Sequence, residues 1–331
     1  MAFHLLTAQQ MFEKYESKLG NTEHHLWGQH IRSESVTYLV GETCVGKTTL
    51  LYNLCYHLSR GEAFLNIAPP RPLRILHIDY ESSGENCVEA LWNIGHDSPN
   101  WVFPDLDREV EEGGSIHGAA MMHFLSGIQV GDFDMFVIDP LLEAYPVSDE
   151  NNNVEAAAQM LAFRKLARSK KVGVVLVHNT GKSFNNPKTG QEQSAAERAG
   201  RKFLGRGAAA RQDKADVGIN YVKVDDTTRM MQVVKSRTSN LGTQWTLAFN
   251  GNHGFDIKNV SHLTGVSQNI PSETDETLRQ ILTTHPHLPL RAVYEQFVKP
   301  AIPVSRATFY RRVQAIRTRP VPPATSEAPP A

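Results

Sequence analysis

Cysteine is scarce. The three that occur, Cys44, Cys55 and Cys87, form no Cys-x-x-Cys pair, so neither a disulfide framework nor a zinc site is suggested. An excess of charge is missing too, because 34 Lys and Arg meet 35 Asp and Glu. No global positive field marks the chain as a polyanion binder, and any such contact has to be local. Apolar runs are short: 172–177 falls far below the roughly 20 residues of a bilayer span. Residues 1–30 hold no signal-peptide core, so a soluble, cytoplasmic protein without a membrane partner is expected. HExxH and GxSxG are absent, which leaves zinc and serine hydrolases without support, and no repeat of solenoid length occurs.

The remainder is an ordinary globular composition, with 40% hydrophobic residues and 23 glycines in 331 residues, enough for one large or two modest domains. Short runs rich in Val, Ile and Leu at 35–40, 73–80, 134–139 and 172–178 alternate with helix-period segments. That pattern predicts an α/β core in which a mostly parallel sheet is covered by helices. Beyond residue 215, closely spaced strands at 217–224, 230–235 and 244–249 predict an antiparallel extension. The expected domains are 1–262, a polar linker at 263–274, a small helical domain at 275–319 and a disordered Pro-rich tail at 320–331.

Residues 41–49 read Gly41-Glu42-Thr43-Cys44-Val45-Gly46-Lys47-Thr48-Thr49, the P-loop pattern GxxxxGK[ST]. A strand candidate ends at Val40, and after Lys47 the apolar residues Leu50, Leu51, Leu54, Cys55 and Leu58 share one helical face closed by Gly61. Strand, glycine loop and helix N-terminus supply the backbone N–H groups and positive dipole end that a triphosphate needs. Lys47 then bridges β- and γ-phosphates and Thr48 holds Mg²⁺, so ATP and Mg²⁺ are the expected cofactors. Asp139, closing Met135-Phe136-Val137-Ile138-Asp139, fits the metal-ordering carboxylate, with Asp79 as its rival. Glu81 lies just beyond the Asp79 strand, where open α/β sheets place their crevice. It fits a general base for the attacking water, with a solvated loop carboxylate as the bland alternative.

These residues, in the order Gly-Glu-Thr-Cys-Val-Gly-Lys-Thr-Thr, Ile-Asp-Tyr-Glu-Ser, Val-Ile-Asp-Pro-Leu and Val-Leu-Val-His-Asn-Thr-Gly-Lys, resemble the RecA/DnaB superfamily. Within it the chain looks most like the RepA-type hexameric replicative helicases of plasmids and phages, over roughly residues 20–250. The resemblance implies a RecA-like P-loop fold, ATP hydrolysis at subunit interfaces, and a homo-oligomeric ring of six. It implies that His178, at the end of the fourth strand, senses the γ-phosphate, and that Lys235 and Arg237 reach a neighbour's γ-phosphate as an arginine finger. Ordinary core histidine and surface charge are the alternatives.

The ring resemblance also implies that the polar segments 141–153 and 179–206 line a channel for single-stranded DNA. The second carries Lys182, Lys188, Arg198, Arg201, Lys202 and Arg206 against Glu192 and Glu197, a local basic strip. Near the C-terminus, Ser305 can cap a helix with Phe309, Val313 and Ile316 inward and Arg306, Arg311, Arg312 and Arg317 outward. With 290–298 before it, this reads as a helix-turn-helix docking on double-stranded DNA, or else as a helical module that touches protein. The expected function is a ring-forming, ATP-dependent DNA motor. An ATP-switched DNA-binding regulator or loader ranks second, and a small-molecule kinase third.

Overall fold

The computed structural model describes residues 6–15, 22–82, 84–111, 117–180, 195–200, 209–237, 241–250, 254–262, 273–285, 288–301, 309 and 313. The chain divides into two compact units, one comprising His24–Val266 and the other Met1–Glu23 with Ser267–Ala331.

The larger unit is built on strands β1 (His25–Gln29), β2 (Ile31–Arg32), β3 (Ser35–Gly41), β4 (Ile75–Asp79), β5 (Trp101–Val102), β6 (Met135–Asp139), β7 (Gly173–Asn179), β8 (Val217–Lys223), β9 (Thr228–Ser236), β10 (Thr243–Asn250) and β11 (Gly254–His262). Among the described residues β1 and β2 form a hairpin, and the other nine form one sheet in the order β11-β10-β9-β8-β3-β7-β6-β4-β5. From β8 to β5 every pairing is parallel, and β9, β10 and β11 continue it antiparallel. The expected α/β architecture, with its antiparallel C-terminal strands, is therefore the one found.

The parallel strands read as continuous apolar runs because both faces are covered. Met135, Phe136, Val137 and Ile138 are all fully buried. On one face Leu39, Val137, Val175 and Val177 pack with Leu50, Leu51 and Leu54 of the Lys47–Arg60 helix. On the other, Val36, Tyr38, Phe136, Ile138 and Leu176 pack with Met160 and Phe163 of the Asn153–Lys170 helix. That second helix starts where the Asn152 side-chain oxygen accepts the N–H groups of Val154 and Glu155, filling donors that a helix start leaves open.

Among the strands, three features lie outside the sequence expectation: the β1–β2 hairpin, two-residue β5, and β11. β11 carries Asp256 and Lys258 and has no apolar run, because as an edge strand it buries only alternate residues. Phe255 and Ile257 are the ones that lean on the core.

The smaller unit contains helices Ala8–Tyr15, Glu273–Thr284 and Leu290–Val293; the last runs on through a wider π-helical turn, Tyr294–Val298, to Lys299–Ala301. Leu278, Val293, Tyr294, Val298, Phe309 and Val313 form its core. Phe309 and Val313 point inward as their spacing predicts. Arg306, Arg311 and Arg312, with the tail and nearly all of the linker, lie outside the described residues. Among the described residues no helix is long and apolar enough to cross a membrane.

Candidate functional site

The carboxyl ends of β3, β7, β6 and β4 converge on one edge of the sheet, since Gly41 pairs with Asn179 and Asp79 with Asp139. Between β3 and its helix the chain turns through Gly46, whose φ of 89° only glycine adopts without strain. Gly41 is demanded by space: a Cβ there would stand 2.8 Å from Lys47 Cδ and 3.1 Å from the Tyr221 carbonyl oxygen. Thr43 and Cys44 are exposed at the tip of the loop, Val45 is buried beneath it, and Thr49 accepts from Asn53 Nδ2 through its carbonyl.

Lys47 is buried and its ammonium donates to Asn179 Oδ1 at 2.8 Å, to the Glu42 carbonyl at 3.0 Å and to the Gly41 carbonyl at 3.5 Å. Burial pushes its pKa below the ordinary lysine value, with Asp139 and Glu81 the leading opposing charges. Thr48 Oγ1 donates to Asp139 Oδ2 at 3.0 Å. The second oxygen, Asp139 Oδ1, is buried with no hydrogen-bond partner. Burial raises the Asp139 carboxyl to about 7, with the Asp79 charge adding to it and the Thr48 hydroxyl opposing.

A hydroxyl beside a carboxylate with a free buried oxygen is a hard-oxygen donor set, which fits Mg²⁺. This ion commonly takes only one or two protein oxygens and completes its shell with water and phosphate. The described residues hold no cluster of three or more His, Cys, Asp or Glu that would make an all-protein metal cage.

Asp79, the rival carboxylate, is taken up by structure. Its Oδ2 accepts from Tyr52 Oη at 3.0 Å, and its Oδ1 accepts the backbone N–H groups of Glu81 and Ser82, both at 2.9 Å. It thereby shapes the turn that carries Glu81, whose own side chain is exposed at the crevice edge.

His178 and Asn179 occupy opposite faces. His178 is buried and stacks on Tyr38, ring centroids 5.6 Å apart, on the face of the Asn153–Lys170 helix. Its neighbour Asn179 is the residue that meets Lys47. No motif marks Asn179, although Val175, Val177 and Asn179 share a period-two face that the Lys47–Arg60 helix covers.

Lys235 and Arg237 lie at the other edge of the sheet. Ser236 pairs with Val217, which pairs with Thr37, four residues (roughly 13 Å) from Gly41 along the strand direction. There Lys235 Nζ donates to the Gln212 carbonyl at 2.9 Å and to the Asp213 carbonyl, and Arg237 Nε pairs with Asp216 at 3.4 Å. Neither is brought to its own chain's Lys47.

Two arginines brace the loop, a role that no motif assigns to them. Arg229 Nε donates to the Val45 carbonyl at 2.8 Å, and Arg198 Nε to Glu42 Oε1 at 2.6 Å. No local pattern announces either, because their partners are 184 and 156 residues away. Although Arg198 stands among the charges of the basic strip, its guanidinium is turned to the phosphate loop. Lys182, Arg201, Lys202 and Arg206 lie outside the described residues.

A family model described as an AAA domain matches residues 7–184, a span that runs through Lys47, Asp139 and Asn179. The chain belongs to this AAA domain family. It is thus a P-loop ATPase domain of AAA type, with strands β8 to β11 beyond the matched span. No curated protein matches the chain. Among solved structures, the crystal structure of the RadB recombinase is similar, at 13% identity and a TM-score of 0.41, over 67% of this chain and 90% of that one.

Proposed function

We propose that this AAA domain protein is an ATP-driven motor on single-stranded DNA that works as a ring, in the manner of RepA-type replicative helicases. The observation that carries the reading is the grouping of Lys47, Thr48, Asp139, Glu81 and Asn179 at the carboxyl edge of one sheet, with Lys235 and Arg237 at the edge away from it.

The loop N–H groups and the helix N-terminus receive the phosphates, and Lys47 exchanges its protein oxygens for phosphate oxygens. Thr48 and Asp139 hold Mg²⁺, which when bound offsets charge developing on the phosphates. Glu81 takes the proton of the attacking water. Asn179, already bonded to Lys47, reads whether a terminal phosphate is present, the role that the sequence resemblance gave to His178. Arg237, with Lys235 beside it, serves a neighbouring copy, since in its own chain it stands at the wrong edge. A finger supplied in trans makes hydrolysis depend on assembly.

The basic residues between β7 and β8 supply the salt-dependent contact to single-stranded DNA. The helical C-terminal unit supplies a second, duplex-directed contact through Arg306, Arg311 and Arg312.

The experiment is ATP hydrolysis with and without an oligo(dT) strand, alongside light scattering with nucleotide bound. Stimulated hydrolysis by a six-fold particle is expected. Hydrolysis by a monomer indifferent to DNA would remove the motor reading.

A further inference from the structure

The phosphate loop is gripped from outside its own strand and helix. The Glu42 N–H donates to the Tyr221 carbonyl at 3.3 Å, and the Glu42 carboxylate accepts the Lys223 N–H at 3.0 Å. Both partners belong to the end of β8. The Val45 carbonyl accepts from Arg229 Nε at 2.8 Å, and Arg229 stands at the start of β9. Arg229 continues the period-two face of Met231 and Val233, the side of the sheet on which Val45 and the Lys47–Arg60 helix pack.

The far end of the same buried guanidinium is held as firmly. Arg229 Nη1 donates to the Asp225 carbonyl at 2.7 Å, to that of Thr228 at 3.1 Å and to that of Asp226 at 3.3 Å. These oxygens converge because Asp225 Oδ1 accepts the Thr227 N–H at 2.8 Å and the Thr227 hydroxyl at 3.1 Å, which closes the turn between β8 and β9. A guanidinium can bridge the turn and the loop because its donors form a planar fork, which an ammonium lacks.

A trans peptide directs its C=O and its N–H to opposite sides. The Val45–Gly46 bond is trans, so holding the Val45 carbonyl toward β9 turns the Gly46 N–H away from β9. Among the described residues no acceptor meets that N–H. Nothing in the loop itself fixes this orientation. Gly46 has a φ of 89°, and glycine adopts either sign of φ, so the peptide can turn over and present its carbonyl where the N–H had been. Arg229 is what selects between the two.

We propose that Arg229 is a positioning residue that keeps the Gly46 N–H turned toward bound phosphate by holding the Val45 carbonyl. This rests on the reading that the loop receives the phosphates of a nucleotide. A peptide turned the other way offers the phosphates a carbonyl oxygen, which repels them. The loss falls on di- and triphosphate alike. It does not fall on the splitting of the terminal bond, because Arg229 bonds to main-chain carbonyls and to none of Lys47, Asp139 and Glu81.

The test uses the full chain, fluorescent ADP and ATP analogues, and steady-state hydrolysis. R229Q is expected to weaken both analogues by about 10- to 100-fold and to raise KM for ATP in step, while kcat at saturating ATP stays within about threefold of the parent. R229K, whose ammonium reaches one group of carbonyls at a time, recovers part of the affinity. Should R229Q not fold, R229K carries the test by weakening both analogues about threefold or more with kcat kept.

Parental affinity for both analogues in the folded variant would overturn the proposal, and a lowered melting temperature beside it would make Arg229 a strut for the β8–β9 turn. A loss confined to kcat, or to the triphosphate, would overturn it as well, since Arg229 would then act on the reacting group. A parent protein that binds neither analogue would sink the phosphate reading of the loop and the positioning together. A parent that binds both, with a variant that binds them equally, sinks the positioning alone.

Discussion

Asn179 Oδ1 receives the Lys47 ammonium at 2.8 Å, while His178, its neighbour in the chain, is buried against Tyr38 beneath the opposite face of the sheet. The two residues therefore answer differently to removal. N179A should lower kcat by about 10- to 100-fold with little change in melting temperature, because it deletes a contact to the ammonium proposed to meet the phosphates. H178A should instead cost about 2 to 4 kcal/mol of stability from the cavity it leaves beside Tyr38, with the turnover of the folded fraction much less affected. Steady-state ATPase assays and thermal melts of the two variants separate these outcomes.

Glu81 is exposed on a turn fixed by Asp79, so its replacement should leave the fold intact. E81Q is expected to bind nucleotide as tightly as the parent and to lose about 10²- to 10⁴-fold in kcat, the usual contribution of a general base. D79N should behave otherwise, weakening both the turn and the Tyr52 contact and lowering the melting temperature.

Thr48 and Asp139 form the expected Mg²⁺ pair, and Asp139 Oδ1 has no other partner. D139N should shift the Mg²⁺ dependence of turnover to higher concentration and reduce the rate by about 100-fold or more. Nucleotide binding measured with EDTA present should survive. A D139N protein whose Mg²⁺ titration matches the parent's would assign the metal elsewhere.

Two buried histidines make stability sensitive to acid. Burial lowers the pKa of His25 to about 4, with charge on Arg32 adding to it, and burial likewise lowers that of His77 below its ordinary 6.5. His77 lies among the rings of Tyr52, Trp101 and Phe103 with no hydrogen-bond partner at either ring nitrogen. The unfolded chain takes up protons at these positions more readily than the folded one. Stability is thus fully present above about pH 6.5 and is lost as pH falls below it, by about 1 to 3 kcal/mol per histidine. H77L should flatten the acid side of a plot of denaturation midpoint against pH. An unchanged slope would place the sensitivity elsewhere.

How much of this was legible in the sequence depended on whether the governing contacts were local. The phosphate loop could be read because its glycines, lysine and threonine lie within nine positions and the loop carries its own strand and helix. The buried strands could be read because cover on both faces turns them into apolar runs. Asn179 was hidden behind the more conspicuous His178, since which of two adjacent residues faces the site depends on which helix covers which face. β11 was hidden because an edge strand buries only alternate residues. Arg198 and Arg229 were invisible for a stronger reason: each meets the loop from a distant part of the chain, and nothing near them in sequence marks the partner.

Hydrolysis by a ring requires that Arg237 of one copy complete the site of the next. The direct measurement mixes two inactive variants, E81Q and R237A, and follows ATP turnover as their ratio is varied. Each alone is expected to be nearly inert. Their mixture should regain turnover, because an intact Glu81 in an R237A copy then faces an intact Arg237 in an E81Q copy. A mixture no more active than its components, or an R237A protein that turns over ATP like the parent, would contradict it.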